Sequence, residues 1–188
     1  EEIVLKGFLE SLAYSIVLSK GLAIRAIDIG PGAGFPGLPL KIAFPNLQLT
    51  LVEASREKAS FLKHIIRALD LKGAACLWTR AEALQDDPKY RGSYQAAFAR
   101  AVASFEGQIR LALPFLGPGG VLVVQKGLKE AEELQRRGTL RADARQGEAL
   151  GVSVSIILPI QLPRLSPACR AERGAGREER YLIVVERP

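Results

Sequence analysis

Two cysteines, one histidine and one tryptophan in 188 residues leave this chain poorly supplied for several kinds of chemistry. Cys76 and Cys169 lie far apart with no companion spacing, which argues against a disulfide framework or a cysteine-based metal site. Both are expected to be reduced and structural. The lone histidine, His64, falls mid-helix, where a surface position is expected. There is no apolar run of roughly eighteen residues, so no segment reads as a membrane-spanning helix. Residues 1–22 show no basic start followed by a cleavage site, so no signal peptide is read and the cytosol is the expected compartment. No repeat and no linker interrupts the chain, which is therefore expected to form one domain over 1–188, opening with a short helix over 1–19.

What is present is an ordinary globular composition, 48% hydrophobic, with a formal charge of +6. The basic excess is spread along the chain, so it suggests a polyanionic partner without identifying one. Apolar residues Val4, Leu5, Phe8, Leu12, Ile16 and Val17 recur at helical spacing and predict an amphipathic N-terminal helix. Strands are expected over 23–29, 47–52, 74–79, 94–99, 121–125, 152–158 and 181–186, with Trp78 and Phe98 inside the core. Helices are expected over 38–44, 56–69, 106–116 and 129–137, and Gly117-Pro118-Gly119-Gly120 reads as a turn. Residues 159–180, rich in Pro, Gly and Arg, read as a loop. Alternating strands and helices of this kind imply an α/β fold: a mainly parallel, seven-stranded, Rossmann-like sheet with helices on both faces.

The chain is organised around Asp28-Ile29-Gly30-Pro31-Gly32-Ala33-Gly34-Phe35-Pro36-Gly37, between the first strand and its helix. Glycines there let backbone approach a ligand, and they open a helix N-terminus toward it. Gly32, Gly34 and Gly37 fit the dinucleotide spacing G-x-G-x-x-G, with Glu53 21 residues beyond Gly32. Asp28, Gly30, Gly32 and Gly34 equally fit D-x-G-x-G-x-G, the pattern of S-adenosylmethionine (SAM) methyltransferases, with Glu53 placed for the ribose hydroxyls. A carboxylate inside a strand end, at Asp28, is costly unless it anchors the loop or faces a cation. The chain also lacks a Tyr-x-x-x-Lys pair, and its only histidine is mid-helix, which leaves a hydride-transfer site unequipped. SAM is favoured on these grounds, with an NAD-dependent oxidoreductase as the alternative.

Asp28 to Leu40, Arg80-Ala81-Glu82, Arg100-Ala101-Val102-Ala103, Gly119-Gly120 and Lys126-Gly127 occur in order, and together they closely resemble the RsmG (GidB) family of bacterial ribosomal RNA methyltransferases. The resemblance implies a class I SAM-dependent fold and methyl transfer to N7 of a guanine in small-subunit (16S) rRNA, in the cytoplasm. It implies no metal, with rRNA or the ribosomal subunit as partner and a monomer as the expected form. The family's usual N-terminal helical region is not found within residues 1–188. Gly7 stands where histidine is common, Pro31 where a small hydroxyl residue is common, and Gln95 where aspartate is common.

In the site the resemblance implies, Asp28, Gly30, Gly32 and Gly34 form the cofactor loop, with Gly30 and Phe35 on the methionine and sulfonium side. Glu53, with Ala54 beside it, takes the ribose, and Ala81 and Glu82 border the adenine. Arg100 reaches the acceptor guanine or an RNA phosphate beside the cofactor, and Lys126 is a second phosphate contact. Replacing Arg100 is expected to leave the fold nearly intact. The loop arginines Arg164, Arg170, Arg173, Arg177 and Arg180 are candidate backbone contacts to rRNA. Guanine N7 carries a lone pair and no proton, so the lack of a catalytic base is chemically consistent. A catalytically weak RNA- or nucleotide-binding relative remains a further alternative.

Overall fold

The computed structural model describes residues 2–18, 24–100, 104–137, 139–143, 149–160 and 180–188. Five parallel strands form one half of a mixed sheet: β1 (Arg25–Ile29), β2 (Gln48–Glu53), β3 (Ala74–Trp78), β4 (Tyr94–Ala99) and β5 (Leu116–Gly127). An antiparallel half follows, made of β6 (Thr139–Asp143), β7 (Ala149–Pro159) and β8 (Arg180–Glu186). Their order is β3-β2-β1-β4-β5-β8-β7-β6. The order reverses between β1 and β4, and open α/β sheets bind ligands at the carboxyl ends of such a switch point.

Side chains alternate across the sheet with period two. Ile27, Ile29, Ala97, Ala99, Leu122, Val124, Ile183 and Val185 enter one core, capped by Phe105, Ile109 and Leu134 of α4 (Phe105–Ala112) and α5 (Leu128–Arg137). Ala26, Leu49, Leu51, Ala96, Phe98, Val123, Leu182 and Val184 enter the other. That second core is covered by Tyr14, Leu38, Leu40, Ala59 and Leu62, from the segment around α1 (Glu2–Ala13), α2 (Gly37–Ala43) and α3 (Arg56–Ala68). Helices therefore lie on both faces. Among the described residues no helix is long and apolar enough to cross a membrane.

The structure differs from the sequence expectation in four places. An eighth strand, β6, adds a five-residue edge that pairs only with β7; a segment so short and mixed in polarity leaves no strand signature. Gly117 to Gly120 lie inside β5, which starts at Leu116, and a register shift between Tyr94 and Ala96 accommodates them. Trp78 is 54% exposed, because β3 is the outermost strand and Trp78 stands at its end. Lastly, α1 is turned the other way. Its buried face is Gly7, Glu10 and Ser11, continued by Tyr14 in the 3-10 turn that follows, while Phe8 and Leu12 of the apolar stripe are largely exposed. Cys169 and the arginines of 161–179 lie outside the described residues.

Candidate active site

The carboxyl edge gathers the glycine loop after β1, Glu53 at the end of β2, and Arg100 just past β4. The loop closes on itself through the Pro31 carbonyl, which accepts from the N–H groups of Gly34 (2.9 Å) and Phe35 (3.0 Å). Pro31, which lacks an N–H to offer, thus serves as the acceptor that folds the turn. Gly32 has φ +59°, and a Cβ there would meet nothing within 4 Å, so it borders open space. Gly34 has φ +100°, and a Cβ there would lie 2.5 Å from a Leu38 methyl; loop and helix can pack only without a side chain. Gly30, also at positive φ, donates its N–H to the Val52 carbonyl at 2.9 Å and ties the loop to β2.

Glu53 is nearly buried, and each carboxylate oxygen accepts one backbone N–H: Gly32 at 3.2 Å and Ser55 at 2.9 Å. Each oxygen keeps further lone pairs for a ligand hydroxyl. Ala54, exposed beside it, accepts the Trp78 indole N–H at 3.1 Å. Past β3, Ala81 is buried at the start of a 3-10 turn, with Glu82 exposed next to it.

Asp28 is wholly buried and accepts the Gly37 N–H at 2.8 Å through Oδ2, while Oδ1 has no partner among the described residues. A Cβ at Gly37 would lie 2.7 Å from that carboxylate, so the closeness of α2 to β1 depends on glycine. Burial raises the Asp28 carboxyl well above its ordinary 3.8; the Gly37 bond and Arg100 pull it down, and Glu53 pushes it up. The folded state therefore holds a proton that the unfolded state releases as pH rises above about 4. Stability contributed at low pH is lost as pH climbs through the raised folded value. We expect urea unfolding to show stability falling with rising pH over this range and Asp28→Asn to flatten that part of the profile. Identical slopes in both proteins would count against this assignment.

Arg100 is not a free strand-end arginine. Its Nη2 bonds Glu10 Oε2 at 2.9 Å, and the Gln125 amide donates to the same oxygen at 3.2 Å. Glu10 comes from α1 and its side chain is only 3% exposed, against 25% for Arg100. Among the described residues the other guanidinium nitrogens take no partner. Tyr14 completes this polar layer: its hydroxyl is buried without a partner among the described residues, and burial raises its pKa. Glu10 was missed by sequence reading. Its signal is a carboxylate in step with Gly7, Ser11 and Tyr14, a polar stripe opposite the apolar one.

Two expected site residues are engaged internally. The Phe35 ring packs edge-on against Phe8 at 5.2 Å between centroids, and a Cβ on Gly7 would lie 2.9 Å from it. Lys126, its side chain 9% exposed, pairs with Glu130 at 3.2 Å and lies 5.9 Å over the Phe105 ring. Gln95, at the opposite end of β4, accepts the Arg25 N–H at 2.8 Å and has no part in the carboxyl edge. His64 is exposed on α3, and among the described residues no group of side chains suits a metal ion.

Solved structures share this fold. A SAM-dependent methyltransferase from Aquifex aeolicus superposes with a TM-score of 0.64 at 11% identity, covering 100% of this chain and 94% of that one. A predicted O-methyltransferase from Agrobacterium tumefaciens gives 0.62 at 19% identity, covering 96% and 79%. Sequence relatives are nearer. A ribosomal RNA small subunit methyltransferase G of Acetivibrio thermocellus is 39% identical over 87% of this chain and 64% of its own length. Its counterpart in Moorella thermoacetica is 35% identical over 100% of this chain and 71% of its own. This chain thus spans about two thirds of the length of such relatives. The sequence profile of the GidB family, described as rRNA small subunit methyltransferase G, matches residues 1–152, and the chain belongs to that family.

Proposed function

We propose that this chain transfers a methyl group from SAM to N7 of a guanine in small-subunit rRNA, among ribosomal subunits in the cytoplasm. The observation that carries the reading is the Asp28–Gly37 bond. In a dinucleotide site the N-terminus of this helix faces a pyrophosphate. Here its first N–H is already donated to the buried Asp28 side chain, so it is not offered to a phosphate. A nucleoside cofactor with no phosphate fits such a loop.

The residues present suit SAM. Gly32 leaves room for close approach, Glu53 offers lone pairs to two ribose hydroxyls, and Ala54 and Ala81 are small enough to border an adenine. Bound there, the cofactor supplies an electrophilic methyl. A guanine N7 lone pair would accept that methyl with S-adenosylhomocysteine leaving, so no residue would have to move a proton. The protein's task is then alignment and exclusion of water. Arg100, with donors left beyond its bond to Glu10, is placed to hold the acceptor base or an adjacent phosphate. Lys126 and Phe35 support the site from within, through Glu130 and Phe8.

The test is incubation of labelled SAM with unmethylated small subunits and, separately, with naked rRNA, followed by digestion and mapping. Label recovered as 7-methylguanosine is the expected result. Label on another base, or NADH binding with no SAM binding, would overturn the reading.

A further inference from the structure

The outer edge of the sheet carries a feature the methyl-transfer site does not use. Along α3, Arg56, Ser60, Lys63 and Arg67 follow one another at intervals of four, three and four, and so share a helix face. Ser60, Lys63, Ile66 and Arg67 form one wall of a groove of about 350 Å³, and Ala75 and Cys76 of β3 form the other. The helix runs antiparallel to the strand, so the Arg67 end lies at the amino edge and the Arg56 end at the carboxyl edge. There the Arg56 guanidinium sits 5.5 Å over the Trp78 ring.

Trp78 is 54% exposed, yet its orientation is set: the indole N–H is held by the Ala54 carbonyl at 3.1 Å and the ring by Arg56. An aromatic fixed in this way loses little freedom on stacking. Arg56, Lys58, Lys63, Arg67 and Arg80 are all exposed, and none pairs with a described carboxylate. Glu57 is the one acidic residue within α3.

We propose that the α3–β3 groove is a track for single-stranded RNA, with Lys63 and Arg67 on phosphates and Trp78 stacking an unpaired base. It rests on the reading of the chain as an RNA-modifying enzyme and adds where the substrate lies. A polyanion matches the charge, and an exposed ring beside an arginine suits a nucleobase. A duplex keeps its bases stacked and offers Trp78 nothing. Across the parallel sheet, Trp78 and Arg100 are separated by three strand spacings, about 14 Å, a span of a few nucleotides. Cys76 adds no chemistry, since burial pushes its thiol up to about 11.

Trp78 is the chain's single tryptophan, so its emission reports this site directly. The full chain is titrated with a dodecamer of oligoadenylate and with an RNA duplex of equal length, while anisotropy of labelled RNA follows binding. Expected are saturable quenching by the single strand and little by the duplex. Lys63→Ala with Arg67→Ala should weaken single-strand binding about ten-fold or more at physiological salt, with the salt slope reduced by about 0.7 per lost phosphate contact. Affinity for S-adenosylhomocysteine should not change in that variant.

Binding without any change in Trp78 emission would overturn the proposal, as would a double variant that binds like wild type or a single strand that fails to bind. Emission that responds to S-adenosylhomocysteine instead would assign Trp78 to the adenine and likewise overturn it. Quenching by the oligomer alongside absent methylation of subunits would leave this groove standing and remove only the proposed reaction.

Discussion

Arg100→Ala is expected to abolish methyl transfer, with kcat lowered at least about 10²–10³-fold, and also to destabilise the fold. The first effect follows if the guanidinium positions the acceptor, since alignment and preorganised donors carry most of such a barrier. The second follows from Glu10, whose carboxylate is 3% exposed and keeps only the Gln125 amide once Arg100 is gone. Breaking a buried pair costs about 3–5 kcal/mol, and a quarter-exposed arginine lowers this to roughly 2–4 kcal/mol. For a chain of this size the melting temperature should drop by about 4–16 °C. The sequence expectation that Arg100 could be replaced with the fold nearly intact took no account of its pairing with Glu10.

The two effects separate in a double variant. Glu10→Gln removes the buried charge, so Arg100→Ala combined with it should recover most of the lost stability. Activity should not return, because the acceptor-side donors are still missing. Thermal unfolding and turnover on ribosomal subunits measure the two quantities independently. Activity recovered together with stability would reduce Arg100 to a structural partner of Glu10.

The glycine loop and the parallel half of the sheet were legible because their signals are local. Asp28, Gly30, Gly32 and Gly34 sit at fixed spacing after an apolar strand, and Glu53 closes the next one. Glu10 was legible only as one member of a polar stripe, since its burial is decided by an arginine 90 positions away. The same holds for α1 as a whole. Helical periodicity identified the helix, but tertiary partners chose its buried face, with Gly7 admitting the Phe35 ring and Glu10 meeting Arg100. Trp78 misled for another reason. A strand signal places a residue in a sheet without saying whether that strand is central or at the edge, and β3 is at the edge. Pro31 shows the converse case, where a missing donor became a useful acceptor.

Glu53→Ala should weaken binding of S-adenosylhomocysteine by about 1–3 kcal/mol, or roughly 5–150-fold by calorimetry. Part of this loss is indirect. Glu53 holds the Gly32 and Ser55 N–H groups, and Ser55 also caps α3 by accepting from the Lys58 N–H, so the loop and the start of α3 both relax when the carboxylate goes. Glu53→Gln does not preserve the arrangement either, because one backbone donor would then face an amide N–H. The direct part is isolated with a ligand lacking the ribose 2′-hydroxyl. Wild type should bind this analogue several-fold more weakly than S-adenosylhomocysteine, whereas Glu53→Ala should bind the two nearly alike. That loss of discrimination is the coupling between carboxylate and hydroxyl, measured as a double-mutant cycle with one arm in the ligand. If Glu53→Ala still discriminates as wild type does, the carboxylate only braces the loop, and the ribose is held elsewhere.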